Sequence, residues 1–450
     1  MKLNIFKTLS LLGLALAITH PALSAETAIL ISNVYIFDGK QSSRIPQQSN
    51  LLVVGDTIEK ITTEDILAPD GLSLTKIDGK GKTLMPGLID AHWHMMLTGQ
   101  TLVDAMTSEI GYTNLRAAQV AEATLLRGFT TVRDMGGPVQ GLRRAIEEGN
   151  YPGPRIFPSG AMISQTGGHG DFRLPYEVPR SSNQPLSHTE QTRTAAIADG
   201  VDEVLRSVRE QLMLGATQIK LMTGGGVTSV YDSLDATQYT PEELRAAVSA
   251  AENAGTYVSV HAYTSHAVKM SIEAGVKVIE HGQLVDEDTV KLMASRGIWW
   301  SLQPFLDNEL ANKQKGASRV KQLMVASGTD RAYMLAKKHK IKVAFGTDML
   351  FSGDVGELQN ARLVSLQRWY SPGEVLQIAT GNNAQLLSLS GERNPYKKPF
   401  GVIEEGALAD LLLVNGDPTE DLSLLSDPKN NFIVIIKDGR IYKNVVNAAQ

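Results

Sequence analysis

LMPGLIDAHWHMML, residues 84–97, is apolar for most of its length and then sets His92 and His94 one residue apart. A short apolar run punctuated by Pro and Gly reads as a buried strand, and side chains two apart on a strand share a face. The two imidazoles therefore either cap the strand structurally or point together at one metal ion. Trp93, between them, should face the other way and pack between sheet and helices.

Seven further strand candidates follow along the chain: FTTVRDM, RIFPSGAMI, TQIKLMT, TYVSVHAY, KVIEHG, IWWSLQP and VAFGTDM. Helical stretches intervene. Thr240-Pro241-Glu242-Glu243 is a capping box with proline at the first helical position, Gly255 closes that helix, and Ser371-Pro372-Gly373-Glu374 repeats the device. Eight β-then-α units in series predict an α/β fold, a closed (β/α)8 TIM-like barrel over residues 85–398, rather than an open doubly wound sheet. AILISNVYIFDGK and SNLLVVGDTIEKITT near the start share their short strands and Gly- or Asp-containing turns with ADLLLVNGDP and NFIVIIKDGRIYKN near the end. A small β-sandwich domain assembled from residues 26–84 and 399–450 accounts for that likeness.

The first residues read as a targeting segment: a basic start in MKLNIFK, an apolar run in TLSLLGLALAI, and a cleavage region in HPALSA. Residues 1–25 are thus expected to be a signal peptide, and the mature chain to be periplasmic or secreted with no membrane anchor. Its loss removes Lys2 and Lys7 and moves the formal charge from −5 to −7, so no basic nucleic-acid footprint is present. Zero cysteines exclude disulfides, a cysteine nucleophile and thiolate metal sites.

In a (β/α)8 barrel, functional groups sit at the C-terminal ends of strands. His92 and His94 end the first candidate, Lys220 lies in the fourth, and His261, His281 and Asp348 end the fifth, sixth and eighth. One strand-end histidine is ordinarily a hydrogen-bonded structural residue; six such groups gathered by one barrel point to a site. Lys220 admits three readings: a Schiff-base nucleophile, a salt-bridge partner, or a lysine converted by carbon dioxide to a carbamate whose oxygens could bridge two ions.

MPGLIDAHWH, QIKLMTGGG, VSVHAY, VIEHG, AFGTDM and GVIEEGALADLLLV together resemble the metal-dependent amidohydrolase superfamily. TTVRDMGG, SQTGGHGD and the glycines after Lys220 are similar to its branch related to imidazolonepropionase and Xaa-Pro dipeptidases, which includes ochratoxin-hydrolysing enzymes. The resemblance implies two divalent ions, most often Zn2+. His92, His94 and Asp348 would hold the more buried ion, His261 and His281 the other, with carbamylated Lys220 between them. It implies that Asp348 moves the proton of the attacking water, and that His169 binds substrate or stabilises the tetrahedral oxyanion; the glycines beside His169 equally describe a plain turn. Tyr239 either hydrogen-bonds a substrate carboxylate or contacts the helix starting at Thr240.

The implied activity is hydrolysis of an amide beside a carboxylate-bearing residue in a dipeptide or N-acyl amino acid such as ochratoxin A, by a chain that forms homo-oligomers. A cyclic-amide hydrolase or a non-catalytic barrel that binds small molecules are the alternatives. Tyr263 stands where many relatives carry a further histidine, which leaves the metal set intact and the substrate carry-over less direct. GGGVTS lacks the lysine and serine spacing of a P-loop and reads as a flexible active-site loop, and no GxSxG elbow exists. Trp299 and Trp300 read as barrel core or a pocket wall, His266 as structural, and Arg133-Asp134 as a salt bridge shaping the second strand end.

Overall fold

The computed structural model describes residues 27–67, 69–178, 185–351 and 355–446. The expected signal peptide, residues 1–25, lies outside them. Strands β1 (Thr27–Ile36), β2 (Ser49–Val54), β3 (Thr57–Thr62), β4 (Ser73–Asp78) and β5 (Thr83–Pro86) come first. Next are β6 (Leu88–Trp93), β7 (Phe129–Asp134), β8 (Arg155–Pro158), β9 (Met162–Ser164), β10 (Ala195–Ile197), β11 (Ile219–Met222), β12 (Val258–Thr264), β13 (Val278–Leu284), β14 (Trp299–Leu302) and β15 (Val343–Phe345). The last three are β16 (Leu411–Val414), β17 (Phe432–Lys437) and β18 (Arg440–Asn444).

One sheet joins the two ends of the chain, in the order β18-β17-β16-β5-β1-β2-β3 with β4 on β1. Its alternating Ile, Val and Leu bury one face around Ile31, Val53 and Leu413, as the period of two requires. It meets the central strands through Phe432, whose ring edge leaves no room for a Cβ at Gly128, and through a buried ion pair of Arg155 with Asp410 at 2.7 Å.

The central strands run parallel throughout, in two ladders: β6-β7-β8, and β10-β9-β11-β12-β13-β14-β15. Near-continuous apolar strands covered by helices are what a parallel sheet needs. RIFPSGAMI, expected as one strand, breaks into β8 and β9, because Pro158 is followed by Gly160 at φ +75°. The edge strand β10 was not among the expected eight. No ladder joins β15 to β6. That seam is bridged instead by Asn383, whose amide nitrogen donates to the carbonyls of Ile89 (2.7 Å) and Phe345 (2.8 Å) while its oxygen accepts from Phe345 N–H (2.9 Å). The helix Pro241–Asn253 carries the expected capping box, with Thr240 and Glu243 bonded reciprocally.

Trp93 is fully buried away from the histidines, beside Ala117, Ala121 and Val132. Trp300 packs in the main core, and its indole N–H donates to the His281 carbonyl at 2.6 Å.

Candidate active site

Ladder register places the chemistry. Met222 of β11 lies opposite His261 of β12, and Ala262 of β12 opposite His281 of β13, so Lys220, His261 and His281 stand on neighbouring strands. His92 lies in β6 with His94 just beyond its end, and Asp348 follows β15 across the seam, its N–H donating to the His92 carbonyl at 2.8 Å. Five imidazoles form a contiguous file. Ring centroids are 5.4 Å apart for His94 and His92, 5.0 Å for His92 and His281, 4.5 Å for His281 and His261, and 4.1 Å for His261 and His169. With Lys220 and Asp348 they line one cavity of about 780 Å³.

Each of the four expected histidine ligands turns one ring nitrogen towards a fixed oxygen. His92 Nδ1 lies 2.7 Å from Glu280 Oε2, His281 Nδ1 2.7 Å from Gln303 Oε1, and His261 Nε2 3.1 Å from the Gly225 carbonyl. His94 Nδ1 faces the Gly136 carbonyl at 3.4 Å. An oxygen acceptor fixes the proton on that nitrogen and leaves the other with a bare lone pair, the arrangement of metal-ligating histidine. Burial pushes the pKa of His92 down to about 4 and those of His261 and His281 well below the usual histidine range, so these rings are neutral at pH 7.

His92 Nε2 is buried without a hydrogen bond, 3.4 Å from Asp348 Oδ1, and His94 Nε2 is 3.1 Å from the same oxygen. The donor atoms of His92, His94 and Asp348 all lie within 4.8 Å of one another. Converging lone pairs repel unless a cation or proton sits among them, so this set fits a divalent ion. Burial alone would raise the Asp348 pKa, but His92, His94 and His281 hold it far below the usual carboxylate range. Burial also brings the Lys220 amine down to about 8, against the pull of Glu280 and Asp348. Among the described residues it makes no hydrogen bond or ion pair.

Asp348 and His281 both take left-handed backbone, φ +50° and +74°, which a residue with a Cβ adopts at a cost of roughly 1–2 kcal/mol. The surroundings fix both. Asp90, wholly buried, accepts from His92 N–H, Thr347 N–H, the Thr347 hydroxyl and Gln359, locking the residue before Asp348. The Trp300 indole holds His281.

Glu280 is the support that the strand-end reading missed. One carboxylate oxygen takes His92; the other takes Arg133 Nη2 at 2.6 Å and the Ser259 hydroxyl. Arg133 therefore does not pair with Asp134, contrary to expectation. Sequence neighbours on a strand point to opposite faces, and Asp134 instead accepts from the backbone of Met95 and Gly136. An acid inside the apolar run VIEHG was the available signal.

His169 is held from the loop after β11. Its Nδ1 lies 3.1 Å from Ser229 Oγ, Ser229 donates to Asp232, and Lys321 binds the carbonyls of Gly226, Ser229 and Asp232. A Cβ on Gly226 would fall 1.8 Å from His169 Nδ1. The glycine run thus permits close packing of this ring. Tyr239 is not brought to the cavity: its side chain belongs to the main core beside Leu244, and its buried hydroxyl has no hydrogen-bond partner.

The far side of the cavity is apolar and loop-borne, with Val227, Phe305, Leu306, Leu310 and Phe351. Arg362 also lines it, donating from Nη1 to the Thr347 carbonyl and from Nη2 to the Leu310 carbonyl, both at 2.9 Å.

Residues 83–448 match the family model described as the amidohydrolase family. Ochratoxinase of Aspergillus niger is 32% identical over 412 residues, covering 88% of this chain and 84% of that protein. Its crystal structure superposes with a TM-score of 0.80 over 94% of this chain and 96% of the other, at 27% identity. A prolidase crystallised with N-methylphosphonate-L-proline is 33% identical with a TM-score of 0.84, covering 93% of this chain and all of that one. A Xaa-Pro dipeptidase with bound methionine is 32% identical with a TM-score of 0.78, at 93% and 100% coverage. With its His-His-Asp cluster and its full-length likeness to these hydrolases, the chain belongs to the amidohydrolase family, in its dipeptidase-like branch, and is a hydrolase of carbon–nitrogen bonds.

Proposed function

We propose that this protein is a binuclear metal-dependent amidohydrolase that cuts an amide or peptide bond beside a carboxylate-bearing residue. Its substrates would be dipeptides, Xaa-Pro among them, or N-acyl amino acids such as ochratoxin A. The observation that carries this reading is the group of His92, His261 and His281, neutral rings each with one nitrogen tied to an oxygen, gathered with His94 beside Asp348 and a buried Lys220.

His92, His94 and Asp348 would hold one divalent ion, His261 and His281 the second, and Lys220 as its carbamate would bridge them. Zn2+ suits this donor set. When bound, such ions supply a water of lowered pKa and polarise the scissile carbonyl. A buried amine with a pKa of about 8 is roughly one-tenth neutral at pH 7, and the neutral form is the one that adds carbon dioxide and sheds a proton. Asp348, held by two imidazoles, takes the proton of the attacking water on its carboxylate and passes it to the departing amine. With Nδ1–H committed to Ser229, neutral His169 presents Nε2 as an acceptor for a substrate N–H. Donation to an oxyanion needs a second proton at that atom. The apolar wall of Phe305, Leu306 and Phe351 suits a hydrophobic side chain.

The same reading takes the parallel strands as a closed (β/α)8 barrel over 85–398 and the terminal sheet as a β-sandwich domain of 26–84 and 399–450, in an exported homo-oligomer. The test is a zinc-loaded chain assayed for metal content and for free-amine release across dipeptides and N-acyl amino acids. About two ions per chain and chelator-sensitive turnover are expected. A metal-free, stably folded chain with no amidase activity would overturn the proposal.

A further inference from the structure

His169 is gripped twice, and both grips end on one carboxylate. Its ring Nδ1 lies 3.1 Å from Ser229 Oγ, and its backbone N–H donates to Gln238 Oε1 at 3.0 Å. The Ser229 hydroxyl donates to Asp232 Oδ1, and the Gln238 amide nitrogen donates to Asp232 Oδ2 at 2.7 Å. These residues close a ring of hydrogen bonds in which Asp232 stands opposite His169. Asp232 has a side chain 3% exposed and Lys321 as its countercharge, 3.7 Å away. The ring is fitted to its place. A Cβ on Gly168 would fall 2.6 Å from Gln238 Oε1, and the Gln238 backbone N–H is tied to the Thr223 carbonyl at 2.9 Å.

The direction of each bond follows from what each group can offer. A carboxylate only accepts, so the single Ser229 proton goes to Asp232, and Ser229 Oγ has only lone pairs left for the imidazole. Nδ1 of His169 must then carry the ring proton, which leaves Nε2 of the neutral ring bare. The Gln238 amide cannot turn over, because its oxygen is held by the His169 N–H. The His169 ring stacks on that of His261 at 4.1 Å, so it stands beside the place where an amide drawn to the ions would lie.

We infer that Asp232, which does not line the cavity, is the positioning residue that sets the tautomer of His169, and through it the preference for a scissile amide bearing an N–H. Amides of ordinary amino acids carry that N–H, and amides of proline carry none. The preference rests on the amide-hydrolase reading above; the tautomer does not.

Asp232→Asn changes one atom and reverses the chain. With Gln238 fixed, its amide nitrogen takes the asparagine oxygen, and the asparagine nitrogen is left to donate to Ser229 Oγ. The Ser229 proton then passes to His169 Nδ1, since its other contact, the Gly226 carbonyl at 3.4 Å, is longer and already binds Lys321. Nε2 becomes the protonated atom.

The test is a two-bond 1H–15N correlation spectrum of the zinc-loaded full chain with labelled histidine, the His169 signals being assigned by their loss in His169→Asn. The wild type should carry its proton on Nδ1, and Asp232→Asn on Nε2. Ser229→Ala cuts the chain without touching the buried ion pair and should show both tautomers; it carries the test if the asparagine variant does not fold. A proton on Nε2 in the wild type overturns the inference. So does the wild-type tautomer kept unmixed in Asp232→Asn, or in Ser229→Ala where that variant decides.

Turnover gives the second readout. The ratio of kcat/KM for N-acetyl-L-phenylalanine to that for N-acetyl-L-proline should fall at least about tenfold in Asp232→Asn, because a protonated Nε2 meets the N–H donor to donor. An unchanged ratio with both rates lowered alike marks plain structural support and overturns the preference. If the tautomer reverses but no amine is released from any screened amide, the hydrolase reading fails while the role of Asp232 stands. If amides are cut and the tautomer does not reverse, the role of Asp232 fails and the hydrolase stands.

Discussion

The floor of the cavity and its His169 side are built in opposite ways. On the floor, His92, Lys220, His261 and His281 project from parallel strands, each at most 3% exposed; strand register aligns Lys220, His261 and His281, and the Asn383 bridge across the seam brings His92 to them. On the other side, His169 owes its place to a loop. A serine, an aspartate and Lys321, which comes from the helix Gly316–Lys338, form the chain that holds it, and Gly226 leaves room for its ring. The floor is specified by periodicity and tolerates change elsewhere in the sheet. The loop side is specified by one close approach and is correspondingly easy to disturb.

The floor should therefore fail completely at one atom. Asp348→Asn keeps the size of the side chain but cannot take a proton, so kcat should drop by about a thousandfold or more with the fold intact. Circular dichroism and metal content checked alongside turnover separate lost chemistry from lost metal. Full activity in this variant would refute the assigned proton transfer.

The loop side should fail by displacement. Gly226 does not have a positive φ, so alanine there meets no backbone strain; it meets the His169 ring at 1.8 Å, and one of the two must move. A shift of that size in a positioning group costs on the order of tenfold to a hundredfold in kcat/KM. Metal content should not change, because the floor does not lean on this loop through more than the Gly225 carbonyl at His261. Unaltered kinetics in Gly226→Ala would remove His169 from the reaction.

This contrast also explains what could be read from the chain in advance. His92, His94, Lys220, His261, His281 and Asp348 were legible because a polar residue ending an apolar strand is conspicuous, and parallel strands align their ends. The break of β8 from β9 was not, since Pro158 and Gly160 interrupt a run whose composition still favours a strand. Glu280 was visible as an acid but not as a support, because its partner His92 lies 188 residues earlier and only the closed-up tertiary structure joins them. Arg133 and Asp134 invited pairing by adjacency, which a strand forbids.

Tyr239 gives the smallest effect and the finest test of where the cavity ends. It has left-handed backbone at φ +67°, its N–H donates to Gln165, and its ring packs in the core with a hydroxyl that finds no partner. A buried hydroxyl without a hydrogen bond costs free energy that its removal returns. Tyr239→Phe should therefore leave kcat/KM within about twofold and raise unfolding stability by up to ~1 kcal/mol, read by urea denaturation. A KM increase confined to carboxylate substrates would instead place that hydroxyl at the cavity in the working enzyme. The core around Leu244 would then have to open to let it through.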